Sequence, residues 1–400
     1  MHFVESEFAK RVNPSETLAV TTLIAELRRQ GKNVIDLGAG EPDFETPEHI
    51  KAAGIRAIET GKTKYTPNVG TLSLREAICR KLYSDFGAQY EPKQVVVSNG
   101  AKQSIHNTVL ALCNPGDEVI IPSPYWVSYP EQVKMAEAVP RFLPGEEAND
   151  FKIKPEALAR EVNASTKLIL LNNPSNPTGT VYTKQELQAL IEVLRKHEVW
   201  ILADEIYLKL VYRGSATASL ATFPEIRDRL LLVNGFSKSY AMTGWRLGYV
   251  VAPPPVANAV AKIQSHTTSN PCSISQEAGF AALEGSEEAL MAMRTQFEAR
   301  RDFVHAAVSQ WPGVSARLPG GAFYVFCNVA QVLGRKYRDK TISSPSVLCQ
   351  LLVEHAGVAL VGGEAFGSTR HVRISYANSM ENLREAMHRL QRAFEEIAAV

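Results

Sequence analysis

At 400 residues, 45% of them hydrophobic and 8% aromatic, the chain has apolar material for a large core, and a rule of about 150 residues per domain gives two or three domains. Lys and Arg total 43 against 42 for Asp and Glu, so the formal charge of +1 removes the electrostatic argument for nucleic acid or an anionic membrane as main partner and favours small molecules. The 5 cysteines are odd in number and lack a CxxC pair, which argues against a disulfide framework or a thiolate zinc site and fits a reducing cytoplasm, and the 9 histidines form no HxxxH or HExxH pair to suggest a metal.

The opening "MHFVESEFAK" holds two glutamates and no apolar segment, so no signal peptide is expected, and no 18-residue uncharged apolar stretch is available to span a bilayer. "NPSETLAVTTLIAELRRQG" predicts a helix with Asn13 as N-cap, Pro14 at the first helical position, Glu16 three residues after the cap and Gly31 at the close. Similar signals predict helices over 46–61, 71–87, 183–197, 286–310 and 379–397. Between them lie "VVV", "EVIIP", "KLILL", "VWILA", "LLLV" and "YVVA", short and mostly non-alternating, as expected of strands covered by helices on both faces. "VAPPPVA" reads as a turn between elements. In the last hundred residues a long helix precedes "AFYVFCN", "GVALVGG" and "HVRISYA", which alternate with helices and predict a smaller α+β unit that takes in the N-terminal helix. The whole pattern is α/β.

Four of the apolar runs pass abruptly into polar or glycine-bearing sequence: "VVVSNGAKQS", "LILLNNPSNPTG", "WILADEIYLK" and "LLLVNGFSKS". Open α/β sheets bind ligands at strand carboxyl ends, so four such exits predict one shared crevice.

In "GFSKSYAMTGWRLG", Lys238 follows a buried run, where desolvation lowers an amine's pKa and supplies the free base that attacks a carbonyl. Ser237 and Arg246 offer a hydroxyl and a fork of donors suited to a phosphate. The plain alternative is a loop with incidental charges. "ADEIY" places Asp204 at the end of an apolar strand, where a carboxylate is costly unless paired; a loop start or helix cap is the alternative. "SNGAKQS" opens a helix whose Gly100, Ala101 and Lys102 amides can face an anion, and Lys102 opposes the helix dipole, a local misfit of the kind found at functional sites. A lysine reaching solvent is the alternative there. "GKT" at 61–63 is no phosphate loop, because Arg56 stands where that motif needs its first glycine, and no GxGxxG follows a strand.

The stretch from Gly235 through Ser237, Lys238, Gly244 and Arg246 to Gly248 resembles the attachment-site motif of class I pyridoxal-phosphate aminotransferases, and the likeness runs from about residue 12 to the C-terminus. The resemblance implies the aspartate aminotransferase fold (fold type I): α/β, with a large three-layer α/β/α domain over 47–289 holding a mostly parallel sheet, and a smaller α+β domain made from 1–46 and 290–400. It implies pyridoxal 5'-phosphate joined to Lys238, with Ser237, Arg246 and the Gly100–Lys102 turn at the phosphate. It also places Asp204 opposite the pyridine nitrogen, Tyr207 and Asn176 at the phenolic oxygen, and Trp126 from "SPYWVSY" stacked on the ring. At about 4 Å and an effective dielectric of about 20, the Asp204 attraction is about 4 kcal/mol, or about three pKa units, enough to hold the nitrogen protonated.

By the same resemblance Arg373 in "HVRISYA" clamps the substrate α-carboxylate and Gly40 in "LGAGEPDF" lets backbone approach it, although an outward residue of an alternating strand would equally explain Arg373. Lys102 matches a lysine that reads the distal carboxylate in aspartate-specific relatives, while "HTTSNPCSIS", where others carry a partner arginine, contains none. Tyr65 in "KYTP" matches a residue that reaches the phosphate across a homodimer interface. The function implied is amino transfer from aspartate to 2-oxoglutarate by a two-step pyridoxal/pyridoxamine phosphate mechanism, without metal, nucleic acid or membrane. Aromatic or prephenate aminotransferase, a lyase on the same cofactor, and a non-catalytic effector-binding module are the alternatives.

Overall fold

The computed structural model describes residues 3–14 and 16–399. Its large sheet has seven strands: β1 (Val95–Ser98), β2 (Glu118–Ser123), β3 (Val139–Pro144), β4 (Thr166–Asn172), β5 (Trp200–Asp204), β6 (Leu230–Gly235) and β7 (Gly248–Val251). Their order is β1-β7-β6-β5-β4-β2-β3. β7 is antiparallel to both neighbours and every other pairing is parallel, so the carboxyl ends of β1, β4, β5 and β6 share one edge.

Both faces of this sheet are buried, which is why its strands read as continuous apolar runs. Leu168, Leu170, Leu202, Leu231 and Val250 pack on one face with Ile105 and Val260. Ile169, Leu171, Ile201 and Leu232 pack on the other with Leu74, Ile78, Leu187 and Ile191. Alternate residues of each strand thus serve different helix layers. Strand β3 escaped the sequence reading because Pro140 and Pro144 lie inside it; at the sheet edge it pairs only with β2, and there a missing N–H is tolerated.

The expected helices stand at Glu48–Glu59, Leu72–Phe86, Lys184–Leu194, Glu288–Val308 and Met380–Ala398. Two local expectations need correction. Pro14 is not the first helical position, since it lies outside the helix Glu16–Arg29, whose preceding residue Ser15 is outside the described residues; the backbone N–H and side-chain amide of Asn13 donate to Glu131, at 2.7 and 3.3 Å. The prolines of "VAPPPVA" begin a helix, Pro254–Thr267, because the first helical positions need no N–H and suit proline's fixed φ.

A second sheet, antiparallel, orders Val361–Gly362, His371–Ser375, Tyr324–Asn328 and Ser315–Ala316, and Arg373 faces Val361 on one side and Phe326 on the other. Ile35–Asp36 pairs in parallel with Val358–Ala359, so the N-terminal segment joins the C-terminal third of the chain. Leu383, Met387, Leu390, Phe394 and Ile397 form the apolar stripe of helix Met380–Ala398 and pack with Phe297, Phe323 and Ile374. Among the described residues no helix is long and apolar enough to cross a membrane.

Candidate active site

The shared sheet edge and the strand carrying Arg373 enclose a cavity of about 460 Å³. Lys238, Asp204, Tyr207, Ser237, Arg246, Ala101, Lys102, Trp126, Asn176, Gly40 and Arg373 all line it. Those from the large sheet come from strand exits delivered to one edge by the parallel strand directions, while Arg373 comes from the antiparallel sheet and Gly40 from the N-terminal segment.

Lys238 sits in the loop between β6 and β7, and its Nζ donates to the Gly40 carbonyl oxygen. Desolvation lowers its pKa to about 8, although Glu41 and Asp204 pull the other way. Arg373 and Arg246 reinforce the lowering. The loop is held in a costly shape: Ala241 and Arg246 have φ of 51° and 53°, a left-handed conformation uncommon for residues other than glycine. The Arg246 guanidinium is exposed, and its Nη1 donates to the Thr243 carbonyl at 2.9 Å.

Helix Ala101–Leu112 begins beside it, and the first N–H groups of a helix have no acceptor within the helix. Gly100 precedes it at φ 82°, where a Cβ would come within 2.6 Å of Arg246 Nη2. A Cβ on Gly248 would meet the Ala101 nitrogen at 2.3 Å, so that glycine lets β7 pass close behind the turn. The result is a cradle of amides, a hydroxyl from Ser237 and a guanidinium, suited to a phosphate.

Asp204, the last residue of β5, is only 4% exposed, and desolvation raises its pKa to about 6. Its Oδ1 accepts from the Ile206 N–H at 3.2 Å. Trp126 flanks the cavity with Lys102 Nζ 5.0 Å from its ring centroid, and desolvation lowers the Lys102 pKa, helped by the Arg246 charge. Tyr207 is buried with its hydroxyl 2.9 Å from that of Tyr324.

Arg373 is 3% exposed and forms no ion pair among the described residues. Nη1 donates to Asn176 Oδ1 at 3.0 Å and Nη2 to the Gly38 carbonyl at 2.7 Å, while Nε has no acceptor. A buried guanidinium without a carboxylate is costly, and the cavity it lines is where an anion would complete it. Tyr65 is set apart from all this, 93% exposed and outside the cavity of its own chain.

A family profile described as "Aminotransferase class I and II" matches residues 32–390. The chain belongs to that family. It is 46% identical to an aspartate aminotransferase of Geobacillus stearothermophilus over 97% of this chain and 99% of that one. It is also 46% identical to an aspartate/prephenate aminotransferase of Cereibacter sphaeroides, over 96% and 97% of the respective chains. The crystal structure of the aspartate aminotransferase from Rhizobium meliloti superposes with a TM-score of 0.95 at 41% identity, covering 99% of this chain and 100% of that one.

Several cavity residues of this aminotransferase were not singled out from sequence. Asn172 accepts the Asn176 N–H at 2.7 Å on Oδ1 and donates to the Asp204 carbonyl at 3.0 Å, fixing two strand exits to each other. Glu41 is held by Thr243 Oγ1 at 2.8 Å, and Tyr324 reaches in from the small sheet. Tyr129 donates to Asp204 Oδ2 at 2.7 Å.

Proposed function

We propose that this aminotransferase uses pyridoxal 5'-phosphate to move the amino group of aspartate to 2-oxoglutarate, as a homodimer in the cytoplasm. The observation that carries the reading is the buried Arg373, without an ion pair among the described residues, in one cavity with a desolvated lysine amine and a buried carboxylate.

The residues present fit the cofactor. Gly100, Ala101, Ser237 and Arg246 would hold its phosphate, Lys238 its aldehyde carbon, Asp204 its ring nitrogen, and Asn176 and Tyr207 its phenolic oxygen, with Trp126 against the ring face. When bound, the group supplies an electrophilic carbon and an electron sink. With a pKa of about 8, roughly a tenth of the Lys238 amine is uncharged at pH 7, the form that would join that carbon. Lys238 Nζ would take the proton from the substrate α-carbon and later return it, as base and then acid. Arg373 still has N–H groups beyond its two bonds and uses them, Nε included, to fix the α-carboxylate beside the Gly40 backbone. Lys102, at the cavity wall beside Trp126, reads the distal carboxylate, which favours dicarboxylates over neutral substrates.

The relatives' names support the pairing with aspartate, and the Cereibacter relative supports prephenate as a second amino acceptor. The exposed large apolar side chains Ile55, Ile58, Tyr65 and Leu72, close together in sequence, support cover by a second copy, with Tyr65 reaching the partner's phosphate site. Five free cysteines support a reducing compartment. Separate sheets support the division into 47–289 and 1–46 with 290–400, and Ile206, Tyr207, Leu210 and Tyr212 of the large unit pack into the core of the small one.

The test is a spectral titration of cofactor-loaded protein. Aspartate should discharge the absorption band of the lysine-bound cofactor and 2-oxoglutarate should restore it, with prephenate tried as an alternative acceptor. Release of ammonia with the band unchanged would favour a lyase, and cofactor binding without response to any amino acid would favour an effector-binding module.

A further inference from the structure

The Asp204 carboxylate has a partner that the reaction above does not use. Tyr129 Oη donates to Asp204 Oδ2 at 2.7 Å, and both residues are buried. Tyr129 lies in helix Ser128–Met135, and its ring meets that of Trp126 edge-on at 5.3 Å. One short stretch of chain therefore brings an aromatic face to the cavity and a hydroxyl behind the carboxylate. Burial and the neighbouring carboxylate push the Tyr129 phenol well above its usual range, so it stays a protonated donor.

A hydrogen bond to the ionised form makes a carboxylate a weaker base. Where a carboxylate and a ring nitrogen share one proton, weakening the carboxylate moves the proton to the nitrogen, and that is the form in which the ring draws electrons. The other groups facing Asp204 leave this task to Tyr129. Lys238 adds charge at a distance without a hydrogen bond, Tyr207 is bonded to Tyr324, and Glu205 is engaged with Ser219 and the Leu220 N–H. The Ile206 N–H serves the opposite oxygen, Oδ1, at a longer 3.2 Å.

We propose that Tyr129 is a positioning residue: by donating to Asp204 Oδ2 it keeps the proton shared by Asp204 and the cofactor's ring nitrogen on the nitrogen. The inference rests on the cofactor reading given above. A hydrogen bond to a charged group changes such an equilibrium by about ten- to a hundredfold.

The experiment loads wild type and Tyr129→Phe with pyridoxal phosphate carrying ¹⁵N in the ring and records the nitrogen chemical shift at constant pH. The wild-type nitrogen should report the protonated form, and the Phe variant should shift toward the unprotonated value, with kcat for aspartate falling about tenfold and KM within about threefold. Tyr129→His, which returns a donor, should shift back toward wild type, and it carries the test if the Phe variant fails to fold. A Phe variant with the wild-type nitrogen shift, or a His variant with the unprotonated shift, overturns the proposal. Failure of the cofactor reading looks different: wild type itself would then leave Lys238 unlabelled after borohydride treatment.

Discussion

Arg373 Nη1 and Asn176 Oδ1 are 3.0 Å apart, although 197 residues separate them in the chain. The bond ties the small antiparallel sheet to the loop that follows β4, so Arg373 is aimed from one sheet and steadied by the other. Arg373→Lys keeps the charge and loses the planar fork. We expect kcat/KM to fall about a hundredfold for acidic and neutral amino acids alike, measured by steady-state kinetics on aspartate and phenylalanine. A loss restricted to aspartate would move the α-carboxylate role to another residue.

Lys102 predicts the complementary pattern. Lys102→Ala should lower kcat/KM for aspartate and 2-oxoglutarate about ten- to a hundredfold, the worth of one charge-assisted hydrogen bond, and leave neutral substrates within about twofold. Equal losses across both classes remove the dicarboxylate assignment.

The Lys238 amine carries its own pH signature. In cofactor-free protein, the rate at which added pyridoxal phosphate is captured covalently should rise with pH through about 8 and then level off, because desolvation holds the amine there. A midpoint near the ordinary 10.5 would show that burial does not act on this group. Lys238→Ala should abolish turnover and borohydride labelling together.

Asp204 makes the opposite kind of statement, about stability. Its pKa is raised from 3.8 to about 6 by burial, so between those values the folded chain binds more protons than the unfolded one, and stability falls as pH rises through that window. The shift corresponds to on the order of 3 kcal/mol. Cofactor-free Asp204→Asn should lack this fall and unfold later than wild type above pH 6, in urea titrations across that range, while binding the cofactor more weakly. A wild-type curve flat from pH 4 to 6 contradicts the burial argument.

Gly100→Ala places a Cβ where φ is 82° and where the end of the Arg246 side chain lies 2.6 Å away. The arginine tip can swing aside, so the fold should survive with a loss of about 1–2 kcal/mol from the left-handed backbone. Displacing Arg246 should still weaken cofactor retention about tenfold, read by dialysis against free pyridoxal phosphate.

Much of the site was legible because it consists of strand exits. "SNGAKQS", "NNPSNPTG", "ADEIY" and "GFSKS" each break an apolar run, and a parallel sheet delivers all such breaks to one edge. What stayed hidden has specific causes. Strand β3 carries two prolines that its edge position excuses. Tyr324 looks like one more apolar residue of "AFYVFCN", and nothing local marks it as lining the cavity. Asn172 and Tyr129 act on other protein groups, and no local pattern marks a residue whose partner is distant in sequence.

By itself the sequence determined six of the seven strands of the large sheet, the burial of both its faces and the lysine-bearing loop, because periodicity, capping and glycine placement are local properties of the chain. Only the tertiary structure decided that Arg373 is buried and held by Asn176 and the Gly38 carbonyl without an ion pair among the described residues, that Lys238 rests on the Gly40 carbonyl and that Asp204 is held by Tyr129. Those contacts depend on how two sheets meet, and the desolvation that shifts the Lys238 and Asp204 pKa values exists only once they have met.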